Sequence, residues 1–300
     1  MITPIMSHGQ MAVAGKDEEG ERPFDSDLPS DTIQAVGSSS NGIKSVVRAA
    51  QKKGNEAAAY IFVTNVAPHI VEASESRPQT IGGKNIRVFY DESLRQLIIK
   101  LVGGPHEIAG AQLSRAFAKR FEHMGLEREI VNTAAKRIKE IPRSKEPDGS
   151  WRPLTMPPAR SGKWPTLVVE CGWSESISRL RLDAEWWLAH SRGDVGVVVL
   201  VSVDRREPKI TLGTWIIDPT PRALRPGPTL RAPRLHTMCS QVVTIYRDQQ
   251  NAIITVGAPQ VIEFEKTFLR PANPPLEHDI AVSQQDLEFL AMVTWNEAGI

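Results

Sequence analysis

The sequence predicts an α/β (α+β) fold, a mixed central β-sheet flanked by helices. Three observations carry that prediction. VGVVVLVSV (195–203) is apolar at both alternating positions, as a strand buried on both faces must be. HEIAGAQLSRAFAKRFEHMG (106–125) places Ile108, Leu113, Phe117 and Phe121 at helical spacing. KWPTLVVECGWSES (163–176) runs from a strand-like stretch into serines able to cap a helix. Strands interleaved with helices make a layered α/β or α+β core.

Along the chain, residues 1–42 read as a disordered leader. Asp17, Glu18, Glu19, Glu21, Asp25, Asp27 and Asp31 make it acidic, and GSSSNG (37–42) ends it in linker composition. Its functional alternative is an acidic interaction arm. Residues 43–300 are expected to form one domain with a C-terminal strand and helix extension. A short helix is expected over Ile43–Lys52, then an apolar run at 57–66. NIRVFYD (85–91) and LRQLIIKLV (94–102) read as a β-hairpin. Pro105 suits the first turn of the next helix and Gly125 its stop.

A strand is expected near 135–141, and KEPDGSWRP (145–153) has turn composition. A strand through 166–171 follows. The next helix starts from Ser174 or Ser176 and reaches about Ser191, with Ile177, Leu180, Ala184, Trp187 and Leu188 as its buried stripe. KITLGTWII (209–217) is the hairpin partner of VGVVVLVSV. A Pro/Arg-rich connector covers 219–236. Strands near 240–246 and 252–256 and a helix over Gln284–Trp295 close the chain.

A formal net charge of +1 leaves any nucleic-acid binding to local patches. Arg222, Arg225, Arg231 and Arg234 in the connector are candidate phosphate contacts, or a solvated linker held extended by proline. Two cysteines, Cys171 and Cys239, give no disulfide framework. MITPIMSHGQ lacks the pattern of a secretory signal, and no apolar run is long enough to span a bilayer. The expectation is an intracellular protein, cytoplasmic or nuclear, neither secreted nor in a membrane.

Glu170 is the residue out of place. A lone ionised carboxylate among Val168, Val169 and Cys171 costs several kcal/mol unless it is paired or bound to a metal. Strand alternation puts Glu170 and Gly172 on one face and Cys171 on the other. A buried Cys171 thiol is inert, which disfavours a cysteine nucleophile working with His106 or His190. Asp148 stands at the Pro-Asp-Gly turn. If the strands near 135–141 and 166–171 are neighbours, Asp148 and Glu170 converge at one edge. Two carboxylates with a backbone carbonyl and waters suit Mg²⁺ or Mn²⁺, which lowers the pKa of an attacking water. Turn chemistry for Asp148 and an arginine partner such as Arg181 for Glu170 are the plainer alternatives.

KEPD (145–148), PTLVVECG (165–172) and the following SES resemble the PD-(D/E)XK nuclease superfamily, and most of all restriction-endonuclease-like proteins that occur as uncharacterised fungal paralogues. The resemblance runs from about Asn85 through Trp215, with a weaker echo to the C-terminus. It implies a restriction-endonuclease-like core with Asp148 and Glu170 as catalytic metal ligands, the Cys171 carbonyl as a further ligand, and Glu107 as an added acidic ligand. The superfamily's lysine falls at Gly172 and is missing. Arg179 and Arg181 of the next helix are candidates to stabilise charge, with Arg181 taken as catalytic; arginine is a poor general base. Lys145 and Lys163 are near enough in sequence to reach the site. Asp183 either touches it or pairs with Arg179. His106 is a possible phosphate donor, and Trp186 and Trp187 are possible base-stacking groups.

The implied function is metal-dependent hydrolysis of phosphodiester bonds, with DNA as the possible partner. The alternative from another class is a catalytically inactive binding or scaffold protein of the same fold, favoured by the missing lysine.

Overall fold

A computed structural model describes residues 22–54, 58–173, 177–220 and 235–300. The first stretch of chain forms β1 (Ile33–Val36), α1 (Ser40–Gln51), β2 (Tyr60–Thr64), α2 (Pro68–Ser76), β3 (Ile86–Asp91), β4 (Gln96–Leu101) and α3 (Gly104–His123). Then come β5 (Ile130–Asn132), β6 (Ile138–Glu140), β7 (Arg143–Lys145), β8 (Gly149–Pro153), β9 (Leu167–Trp173) and α4 (Ile177–His190). The remainder holds β10 (Val197–Val203), β11 (Lys209–Ile217), β12 (Thr237–Arg247), β13 (Ile253–Val256), β14 (Gln260–Ile262), α5 (Phe264–Phe268), β15 (Ile280–Val282) and α6 (Gln284–Ala298).

The α/β class holds, but the strands divide into two large mixed sheets and a small hairpin. One sheet has the order β1-β2-β4-β3-β7-β6, the other β13-β12-β11-β10-β9-β8-β5, and β14 pairs with β15. VGVVVLVSV becomes β10, parallel to β9 on one side and antiparallel to β11 on the other. Its valines face apolar layers both ways, which is why alternation is absent.

Three apolar clusters build the layers. Ile43 and Val47 of α1 pack with Ile61, Val63, Val88 and Ile99 on the outer face of the first sheet. On the far face of the second sheet, Leu113 and Phe117 of α3 and Leu290 and Trp295 of α6 meet Val169, Val199 and Leu212. Between the sheets, Leu180, Ala184 and Trp187 of α4 join Phe62, Phe89 and Ile98 from one sheet and Val168 and Leu200 from the other. No described helix is long and apolar enough to cross a membrane.

Three expectations need correction. The leader does not extend to residue 42: β1 pairs parallel with β2, and Phe24 is buried. Acidic composition hid this, because the apolar anchors there are single residues. KEPDGSWRP is not all turn, since Gly149–Pro153 is a strand between β5 and β9; Trp151 packs edge-on to Phe117 with ring centres 5.5 Å apart and holds it there. The strand at 138–140 lies in the first sheet and does not neighbour β9. Residues 1–21, the cap candidates Ser174 and Ser176, and the connector arginines lie outside the described residues.

Candidate functional site

β8 runs antiparallel to β9 with Gly149 opposite Val169 and Ser150 opposite Val168. One further step sets Asp148 opposite Glu170. The pair therefore meets through β8, not through β6. Glu170 is also mid-strand, in register with Leu200 of β10, so it occupies the sheet interior and not a strand end. Residues 146–148 cross from β7 in the first sheet to β8 in the second, which lets groups from both sheets reach the carboxylates.

Each carboxylate is answered by cations. Lys100 of β4 donates to Asp148 Oδ2 at 2.8 Å and stands 3.7 Å from Glu170 Oε2. The same Asp148 oxygen accepts from the Cys171 backbone N–H at 2.9 Å and lies 3.1 Å from His106 Nε2. Arg87 Nε is 3.4 Å from Asp148 Oδ1. Lys145 Nζ is 3.6 Å from Glu170 Oε1 and donates to Asp183 Oδ1 at 2.7 Å. The Trp187 indole N–H donates to Glu170 Oε1 at 2.6 Å. Arg179 reaches Asp183 at 3.4 Å, one helical turn away.

These groups are out of water. The side chains of Asp148 and Glu170 are 3% and 1% exposed, and those of Lys100 and Lys145 6% each. The cavity bordered by Glu170, Lys100 and Lys145, and lined also by Arg87, Phe89 and Arg179, is about 10 Å³, room for about one water. Burial pushes the Glu170 carboxyl up to about 7, against the pull of Lys145 and Lys100. Burial acts on Asp148 in the same direction, but His106, Lys100 and Arg87 outweigh it and hold Asp148 well below the usual carboxylate range. Asp183 is likewise held low by Lys145 and Arg179 in spite of burial.

Several expected members stand elsewhere. Glu107 is exposed on the first turn of α3, and its neighbour His106 takes the inward position. One residue on a helix is a rotation of roughly 100°, enough to exchange them. Arg179, Asp183 and Trp187 share a helix face at intervals of four, so Arg181 turns away and lies over Trp215, 5.9 Å from the ring centre. Cys171 meets Asp148 through its N–H, a donor that no cation can use. Lys163 pairs with Glu140, outside the cluster. Trp186 and Trp187 are both buried and contact each other edge to face.

Lys100 and Arg87 join the cluster without having been expected there from the sequence. Lys100 carried a signal of the same kind as Glu170: a single charge in an apolar strand, LIIKL. As arranged, the residues do not fit a divalent cation. The Lys100 ammonium lies between the two carboxylates, and among the described residues no trio of His, Cys, Asp or Glu is grouped to hold a metal. Four cations, Arg87, Lys100, Lys145 and Arg179, already face the three carboxylates Asp148, Glu170 and Asp183.

No family model matches the chain, and no curated protein matches it. Among solved structures, the chain is similar to one from Anabaena variabilis ATCC 29413 described as "a putative nuclease belonging to DUF820". The two are 12% identical with a TM-score of 0.36, over 68% of this chain and 90% of that one.

Proposed function

We propose that the chain is a restriction-endonuclease-like protein that works by binding and not by hydrolysis, with its acidic pair neutralised internally by lysine. One observation carries this: the Lys100 ammonium bridges Asp148 and Glu170, and all three side chains are buried. The order α3, β8, β9, α4 around the two carboxylates agrees with the resemblance in sequence. The lysine missing at Gly172 has counterparts in space, Lys100 and Lys145, drawn from the other sheet. They act here as counter-ions to carboxylates that no polymer can reach without rearrangement. A phosphate-bearing partner such as DNA is the class the resemblance implies.

A hydrolytic second reading is favoured by one observation, a carboxyl poised near neutral pH beside two ammonium groups. Calorimetry with Mg²⁺ and Mn²⁺, on wild type, Asp148→Ala and Glu170→Ala, separates the two. No carboxylate-dependent binding at millimolar metal, and no cleavage of single- or double-stranded DNA, is the expected result. Metal binding lost in both variants, together with metal-dependent cleavage, would overturn the proposal.

A further inference from the structure

The segment ahead of β1 straps the charged cluster from outside. Phe24 is 5% exposed and packs against Phe89, with ring centres 4.6 Å apart and ring planes tilted by 51°. The Arg143 guanidinium covers its ring at 5.7 Å. Arg179 Nη1 donates to the backbone carbonyls of Phe24 and Ser26 at 3.3 and 3.0 Å. Tight turns, Ser26 N–H to the Pro23 carbonyl and Leu28 N–H to the Asp25 carbonyl, hold the strap in shape.

Two walls of the cluster's cavity, Phe89 and Arg179, are thus fixed by the strap. Behind them the cations outnumber the carboxylates by one, as counted above, since Arg137 and Glu146 neutralise each other. Arg87 lines this space, and its buried Nε makes no hydrogen bond, with Asp148 Oδ1 3.4 Å away as its ion-pair partner. Both bonds from Arg179 to the strap leave the one nitrogen Nη1, so this guanidinium spends its donors on two neutral oxygens, a role that the charged oxygens of a phosphate fill more strongly.

We infer that the strap of residues 23–28 covers a phosphate-binding site formed by Arg179, Arg87 and Lys145, and that a phosphate-bearing ligand competes with it. Ligand oxygens replace the Phe24 and Ser26 carbonyls on Arg179, Phe24 leaves Phe89, and the cavity opens on the cationic side of the cluster. A site closed for most of the time binds more weakly by the fraction of time it is open. Weakening the strap therefore tightens the ligand. The inference rests on the binding function proposed above.

Hydrogen exchange on the intact chain tests it in EDTA, with inorganic pyrophosphate or a short single-stranded oligonucleotide as probe. Exchange at the Ser26 and Leu28 amides rises with a probe that displaces the strap. A rise with pyrophosphate alone assigns the site to free phosphate compounds, and a rise with the oligonucleotide assigns it to a nucleic-acid backbone. No rise with either overturns the inference. By calorimetry, Phe24→Ala tightens binding of the active probe by about tenfold, and adding Arg179→Ala removes that gain. A gain that survives Arg179→Ala also overturns it. EDTA excludes metal-dependent hydrolysis, the result that would sink the binding function, so the two can fail separately.

Discussion

Lys100 of the first sheet and Asp148 of the crossover into the second meet at 2.8 Å in the protein interior. Lys100 projects from β4, while Asp148 stands on the crossover into β8. A buried ion pair is worth little over an apolar pair, but removing one partner strands the other. Lys100→Ala leaves Asp148 facing His106 and Arg87 and leaves Glu170 with the Lys145 ammonium and the Trp187 N–H. We expect it to lower stability by about 3–5 kcal/mol in urea unfolding at neutral pH. A loss of less than about 1 kcal/mol, typical of surface changes, would show that the ammonium escapes to solvent.

Trp187 offers a milder perturbation. Its indole N–H is the hydrogen-bond donor nearest to Glu170 Oε1, and its ring is fully buried. Trp187→Phe keeps most of the apolar bulk and deletes the donor. Leaving that carboxyl oxygen one bond short costs about 1–3 kcal/mol and moves the Glu170 carboxyl further up. Thermal melts compared at acidic and alkaline pH check both parts, because the loss should be smaller where Glu170 is protonated.

Much of the fold was legible because its elements carry their own periodicity. β10 and β11 and the hairpin of β3 and β4 form where expected, as do α3, the Leu180–Ala184–Trp187 face of α4, and α6. What could not be read locally was partnership. Nothing in IKE (138–140) or GSWRP (149–153) says that one joins the first sheet and the other the second, since long-range pairing decides it. The Pro-Asp-Gly turn signal masked β8, although Trp151 beside it was an apolar anchor for a strand. At the site, the cost of burying Glu170 pointed to a compensating group without naming it. The same reasoning applied to Lys100 in LIIKL would have proposed the two as partners. Glu107 and Arg181 were each a short helical step from the residues that face inward, His106 and Arg179 or Asp183.

Gly196 tests how closely the second sheet is packed at its parallel step. A Cβ added there would lie 2.7 Å from the Lys266 backbone carbonyl oxygen, and backbone cannot yield as a side-chain tip can. Gly196 also donates its N–H to the Thr166 carbonyl, so shifting it disturbs the entry to β10. Gly196→Ala should destabilise the chain by about 1–3 kcal/mol through overpacking, with denaturant midpoint as the readout. Unchanged stability would mean that the α5 segment moves freely against the sheet.

The pH dependence of stability should carry the signature of Glu170. Its carboxyl is raised from an ordinary 4.5 to about 7, by burial first and with Asp148 and Asp183 adding to the rise against Lys145 and Lys100. Between those values the folded chain holds a proton that the unfolded chain releases. Its contribution to stability is therefore complete below 4.5 and is lost as pH rises through about 7. Asp148 and Asp183 have the opposite sign: their depressed carboxyls stabilise above the ordinary 3.8 and lose that contribution on further acidification. Wild type should thus weaken from mildly acidic to neutral pH in urea titrations. Glu170→Gln keeps an acceptor for Trp187 and cannot titrate, so it should flatten that decline and leave the acid limb set by Asp148 and Asp183 in place. A decline of equal slope in the variant would assign the proton to another group.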